Sequence, residues 1–284
     1  MTANNESKTV LVTGTSSGIG RATVVELDRL GFQVFASVRK ASDADALTKI
    51  APRVTPLLFD VVDEQSVSAA AETTAAAVGT KGLTGLVNNA GVGTFGPVEG
   101  IPLAEWRRQM EINVIGQVAV IQAFLPLLRK ARGRIVNIGS IGGLTTIPFG
   151  GALCASKHAV EAINDALRME LRQWGISVSL VAPGSIHTNA ADRMVADGEA
   201  IMKQMRPDNL SLYEQAFRHM LVTMSKDEAH GSPPEVVAKV VARALTASRP
   251  KTRYPAGRRS VFLAVMASIL PTRVFDSIKL KQMA

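Results

Sequence analysis

One cysteine, Cys154, stands in 284 residues. A single thiol excludes a disulfide framework within the chain and any cysteine-rich zinc site. Histidine is scarce too, with four residues. His219 and His230 share no ligand spacing with each other or with an acid cluster, so no metal is expected. Long apolar runs are missing. Val10-Leu11-Val12 follows the polar start MTANNESK and stops at Thr13-Gly14, too short for a signal-peptide core. The run 261–270 is ten residues, about 15 Å of helix against a bilayer core of about 30 Å. A cytoplasmic protein is expected.

The body also lacks an excess of charge. Residues 243–284 hold nine bases against Asp276, which leaves 23 bases and 23 acids, of 32 and 24, in the first 242 residues. A neutral body with a basic tail is not the footprint of a protein that binds nucleic acid. The apolar share is 46% and the mean hydropathy +0.16, enough for a sizeable core.

Short β-branched apolar runs recur at 9–12, 33–38, 54–59, 83–87, 134–138 and 176–181. Alanine-rich segments with helical spacing separate them, such as Val24, Leu27 and Leu30, then Val67, Ala70, Ala71 and Val78. Strand alternating with helix predicts an α/β fold of Rossmann type, a doubly wound parallel sheet whose strands are apolar on both faces. The chain reads as one domain: a core over 8–184, a methionine-rich lid over 185–231, and C-terminal helices with a basic tail over 232–284.

The first strand runs into Thr13-Gly14-Thr15-Ser16-Ser17-Gly18-Ile19-Gly20, and a helix follows. Gly14 permits the tight turn, Gly18 lets backbone approach a pyrophosphate, and Gly20 lets helix pack on strand. The helix N-terminus, reached through Ser16, Ser17 and Ile19, offers N–H groups to phosphates. An ordinary tight turn is the competing reading; strand before and helix after favour a dinucleotide. The second strand ends Val38-Arg39-Lys40 with no acid until Asp43. Arg39 suits a 2′-phosphate, where a carboxylate would repel it, so the cofactor is expected to be NADP(H).

These residues, with Asn88-Asn89-Ala90-Gly91, Asn113, Ser140, Ala155-Ser156-Lys157 and Pro183-Gly184, resemble the short-chain dehydrogenases/reductases over roughly 8–190. Phe124-Leu125-Pro126, Cys154 and Arg253-Tyr254 are similar to its hydroxysteroid and retinol dehydrogenase branch. The resemblance implies that Asp60, followed by Val61, contacts the adenine. Asn89, Ala90 and Gly91 would secure the cofactor, and Pro183, Gly184, Ile186 and Thr188 would run past the nicotinamide. Lys157 would hold the ribose, Ser140 the substrate carbonyl, and Asn113 a water relay to the lysine. It also implies a homodimer or homotetramer through helices at 102–130 and 150–174.

One position departs from the pattern. The family's acid/base tyrosine lies four residues before the lysine, and Leu153 stands there. The two tyrosines, Tyr213 and Tyr254, are distant in sequence. Leucine moves no proton, and a positioned general acid is worth about 10²–10⁴ in rate. Three readings stay open: a Tyr-to-Leu variant of a conventional reductase; an enzyme reducing another hydride acceptor, protonated from water, Ser140 or Tyr213; and a catalytically silent NADP(H)-binding sensor or scaffold.

The lid holds Met194, Met202, Met205, Met220 and Met224 with Leu210, Leu212, Phe217, Leu221 and Val222. That character suits a hydrophobic substrate, and equally a helical pair with its own core. Cys154 is expected to face packing, His158 to point away from the site, and His187 to make a loop hydrogen bond, with a role beside the nicotinamide as the alternative. The tail allows peripheral membrane contact, but packing over the cleft or at a subunit interface is the favoured expectation.

Overall fold

The computed structural model describes residues 8–283, so the polar lead-in 1–7 lies outside the described residues. Seven strands form one parallel sheet: β1 Thr9–Val12, β2 Gln33–Val38, β3 Val54–Leu58, β4 Gly85–Asn88, β5 Arg134–Ile138, β6 Ser177–Pro183 and β7 Arg253–Ala256. Their order is β3-β2-β1-β4-β5-β6-β7. The order reverses between β1 and β4, and the loops leaving those two strands part there. In such sheets that crevice is the ligand position.

Five helices cross over between the first six strands: α1 Gly18–Arg29, α2 Ala41–Thr48, α3 Glu64–Val78, α5 Gly116–Ala131 and α6 Gly151–Glu170. A further helix, α4 Leu103–Met110, runs through a π-turn, Glu111–Ile115, into α5. The run 103–131 is long and apolar enough to cross a membrane, but half of the qualifying stretch is buried in the fold. Two apolar layers cover the sheet. One sets Val10, Val12, Val34, Val87 and Val136 against Val24, Leu27, Val237 and Val241; the other sets Leu11, Phe35, Leu86 and Ile135 against Val67, Val120, Phe124 and Leu128. The period-2 pattern of each strand thus feeds both faces.

Local outcomes differ from the sequence reading where pairing overrides composition. Residues 83 and 84 stay outside β4 because Gly82 turns the chain at φ +74°. The sixth strand runs two residues further, to Pro183, because β7 pairs with it from Leu180 to Pro183. β7 itself was missed; it is four residues long, contains Pro255, and lies at the sheet edge, where proline is tolerated. The covering of the sheet ends at the other edge, where Leu58 is 61% exposed. Leu30 leaves the buried face of Val24 and Leu27, because α1 has ended before it.

Residues 185–231 fold as two helices, α7 Asn189–Met202 and α8 Pro207–Ala229. Met194, Met202, Met205, Phe217, Met220 and Leu221 form a core with Phe95 from the loop after β4. Leu212 and Val222, read with that set, are exposed instead. α9 Pro234–Thr246 returns to pack on α1, and α10 Ser260–Ile269 and α11 Thr272–Met283 complete the chain.

Candidate active site

The glycine loop is held by its neighbour strand. Thr13 Oγ accepts from the backbone N–H groups of Asn89 and Ala90 at 2.9 and 3.0 Å. Asn89 Nδ2 donates to the carbonyls of Thr13 and Gly14, both at 2.9 Å. Gly14 sits at φ +66°, and a Cβ there would lie 2.8 Å from Ala90 Cα; one on Gly20 would lie 2.2 Å from the Gly14 oxygen. Gly18, at φ +55°, would meet nothing closer than the Thr188 side chain at 3.4 Å. Two glycines therefore serve packing, and the third keeps backbone open beneath Thr188. The Ser17 side chain makes no cap at the head of α1, and no acid lies in its first turn. Ser16 is exposed and Ile19 half-buried beside this end. Its N–H groups suit a phosphate, and the loop fits a dinucleotide.

At the adjoining strand ends Arg39 reaches Asp60 at 3.6 Å, with Arg39 73% exposed. Asp60 also accepts from the Val62 N–H at 3.3 Å, and Val61 is buried. An arginine therefore projects from the end of β2, where other dinucleotide folds carry a carboxylate.

Across the crevice α6 brings Lys157 to the end of β5. Its Nζ donates to the Ile138 carbonyl at 2.9 Å, two residues before Ser140. Ser140 Oγ accepts from the Gly142 N–H at 3.0 Å, which leaves its own proton to donate. Leu153, one turn before Lys157, is half-buried and packs toward the α7–α8 core with Ile147 and Phe149. The position of the absent phenol is thus part of an apolar wall.

Asn113 lies in the π-turn and is fully buried. Its Oδ1 accepts from the Val92 N–H at 2.8 Å, and its Nδ2 donates to the Val92 carbonyl and to Ser156 Oγ at 2.9 and 3.1 Å. Both amide protons of Asn113 are thus committed, to the loop after β4 and to Ser156, and only its Oδ1 keeps a free lone pair. Gln109, missed in the sequence, does the same work one turn earlier. It donates to the Val92 carbonyl and to Ser156 Oγ and accepts from the Thr94 N–H. The i,i+4 spacing of Gln109 and Asn113 was the available signal. Asn113→Ala strands buried partners, and a loss of about 3 kcal/mol is expected by urea unfolding.

Pro183, the last residue of β6, and Ile186 are buried, while Gly184 and Thr188 are half-buried. A Cβ on Gly184 would lie 2.2 Å from the Arg258 oxygen. Ser185 Oγ donates to Asp227 of α8, which ties this segment to the end of that helix. Gly91 is exposed beside Asn113 Oδ1.

The comparisons give the family and the fold. A family model described as short chain dehydrogenase matches residues 8–199. The chain belongs to the short-chain dehydrogenase family. It is 35% identical to the human dehydrogenase/reductase SDR family member 9, over 98% of this chain and 88% of that protein. It is 37% identical to the NADPH-dependent 3-dehydrocapnine reductase of Ornithobacterium rhinotracheale, over 96% of each. A solved short-chain dehydrogenase from Streptomyces avermitilis superposes with TM-score 0.76 at 26% identity, covering 98% of this chain and 95% of that one.

In this short-chain dehydrogenase the remaining candidates are occupied elsewhere. The Cys154 thiol is buried, and burial pushes its pKa up. His158 Nδ1 bonds the Cys154 carbonyl; the His187 backbone N–H donates to the Ser232 carbonyl, and its side chain is exposed. Tyr213 donates to Glu99 at 2.9 Å and packs edge-on to Phe149, with ring centroids 6.4 Å apart. The Glu99 carboxylate raises the phenol's pKa, which makes Tyr213 a poorer acid. The Tyr254 hydroxyl accepts from the Lys251 N–H.

Lys157 makes a pH prediction. Burial lowers its pKa from 10.5 to about 8. The folded chain therefore releases this proton near pH 8, while the unfolded chain keeps it to about pH 10.5. Between those values the unfolded state binds more protons, so stability rises with pH. Below pH 8 the buried charge costs on the order of 3 kcal/mol. Lys157→Met is expected to be more stable than the wild type at pH 7 by up to that amount, with the difference shrinking toward pH 10. Urea midpoints of both proteins across pH 7–10 check it.

Proposed function

We propose that this protein is an NADP(H)-linked oxidoreductase acting on a hydrophobic carbonyl, alcohol or related hydride acceptor. The observation that carries the reading is the glycine cradle, open at Gly18, at the end of β1 where the strand order reverses, with Ser140 and Lys157 at the end of β5. Gly14, Gly18 and Gly20 with Ser16, Ser17 and Ile19 would hold the pyrophosphate; Arg39 would hold the 2′-phosphate. Asp60 and Val61 would flank the adenine, and Asn89, Ala90 and Gly91 would line the crevice. Pro183, Gly184, Ile186 and Thr188 would edge the nicotinamide. The bound nucleotide supplies or accepts the hydride.

The chain's own groups do the rest. Lys157 donates to the ribose hydroxyls from a fixed, buried position. Ser140 donates its free proton to the substrate oxygen. Leu153 holds apolar substrate and offers no proton, so protonation comes from water or Ser140, or is not needed because the acceptor is already cationic. The half-buried apolar side chains Ile147, Phe149, Leu153 and Met224 at the edge of the α7–α8 core support the hydrophobic substrate class. NADPH dependence in the name of the Ornithobacterium relative supports the cofactor. Leu103, Ile115, Met169 and Trp174 stay exposed on the helices at 102–130 and 150–174, which supports a homo-oligomer.

Leu153 also favours a second reading, a nucleotide-binding sensor without turnover. Oxidation of NADPH, followed at 340 nm with apolar ketones, iminium ions and activated alkenes, separates the two. Turnover of any class supports the oxidoreductase; NADPH binding with none supports the sensor.

A further inference from the structure

A polar cavity of about 480 Å³ lies where the end of α8 meets the turn from β7 into α10. It is lined by Thr223, Lys226, Asp227 and His230 on one side and by Arg258 and Arg259 on the other. The first four recur at i, i+3, i+4 and i+7, a single face of a helix. Glu228 is half-buried and does not line the cavity.

Three cations face one carboxylate there, and that carboxylate is engaged. Ser185 Oγ donates to Asp227, and the guanidinium groups of Arg259 and Arg258 lie 3.0 and 4.0 Å from it. Arg258 also donates to the His230 carbonyl at 3.0 Å. A guanidinium carries five N–H donors, so most of those on the two arginines stay unused. The Lys226 ammonium has neither an ion pair nor a hydrogen bond among the described residues. His230 Nδ1 bonds the Lys226 carbonyl at 2.7 Å, which leaves its Nε2 for another partner. Arg259 joins this set from φ +60°, a left-handed backbone that glycine would adopt without strain.

We infer that this cavity is a binding site for a free, polar phosphate monoester. The forked arginines match a tetrahedral oxyanion with paired donors, and the lysine adds a point charge. The volume equals the share of roughly sixteen water molecules, so a bare ion would leave most of it unfilled. No apolar side chain lines it, so the group that carries the phosphate is itself polar. The cavity adjoins the candidate site. The Ser185 N–H donates to the Arg258 carbonyl at 3.2 Å, and the Ser232 N–H donates to the Ser185 carbonyl at 3.0 Å. The segment proposed to edge the nicotinamide is thus stitched to both sides of the cavity. A phosphate that bridges Lys226 and Arg259 fixes the end of α8 against that segment.

Calorimetric titration of glycerol 3-phosphate into the full chain at constant ionic strength tests this without cofactor or turnover, so its result is independent of the oxidoreductase reading. One site per chain is expected. Lys226→Gln and Arg259→Asn should each weaken it at least tenfold. Lys226 is exposed, and asparagine tolerates the left-handed turn, so both variants should keep the wild-type melting temperature. Arg39→Glu should bind glycerol 3-phosphate as the wild type does. No binding, or an affinity no better than that for acetate, overturns the proposal. Loss in Arg39→Glu with none in Arg259→Asn places the phosphate in the dinucleotide cradle and overturns it too. Dodecyl phosphate that binds tenfold more tightly than glycerol 3-phosphate assigns the cavity to the end of an apolar molecule and overturns the polar carrier.

Discussion

Replacing Leu153 by tyrosine is expected to raise NADPH-dependent reduction of a hydrophobic ketone by about 10²–10⁴-fold. Leu153 and Lys157 lie one turn apart on α6, so a phenol at 153 projects from the same face as the ammonium. The wall it enters is apolar and half-buried, formed with Ile147 and Phe149. There the nearby Lys157 ammonium favours the phenolate and brings the acid toward working pH. Steady-state kinetics of both proteins on one ketone series check the effect. An unchanged rate in a folded, NADPH-binding Leu153→Tyr protein means that the substrate oxygen does not sit beside position 153. A fall in activity on an iminium ion or alkene, with no gain on ketones, assigns the wild type to that chemistry.

Arg39→Glu is expected to weaken NADPH by about 30–100-fold while NADH changes far less. A charge-assisted contact to a phosphate contributes roughly 2–3 kcal/mol, and reversing the charge adds repulsion. Arg39 stands 3.6 Å from Asp60 and is largely exposed, so its removal leaves no buried partner stranded. Fluorescence titration with each nucleotide reads the ratio. Equal losses for NADPH and NADH assign Arg39 to the adenosine or its pyrophosphate rather than to the 2′-phosphate.

Much of this molecule was legible in its sequence. The β-branched runs located six of the seven strands because buried parallel strands need unbroken apolar residues. The glycine loop was legible because Gly14 and Gly20 admit no Cβ at all. β7 was not legible, since Arg-Tyr-Pro-Ala gains its extended form only by pairing with β6. The role of Asn113 was half legible. Its place in the motif was plain, but the hydrogen bonds that bind its amide to Val92 and Ser156 arise from a π-turn that no propensity signals. Gln109, and the part that Ser156 plays with it, were not read from the sequence. They meet only because α4 and α6 pack together. The face of α10 was legible as an apolar run, but not which side of it packs: α10 touches β7 and the turn 141–143, and Val261, Phe262, Val265 and Ile269 stay exposed.

The central claim is that a dinucleotide phosphate rests on the backbone of Gly18 at the head of α1. Titration of NADPH into the wild type and into Gly18→Asp tests it most directly. Aspartate tolerates the left-handed conformation better than most residues, and its carboxylate would lie in the phosphate position. One nucleotide per wild-type chain is expected, with at least a hundredfold loss in a Gly18→Asp protein of similar melting temperature. Undiminished NADPH affinity in that variant, or none in the wild type, would contradict the account.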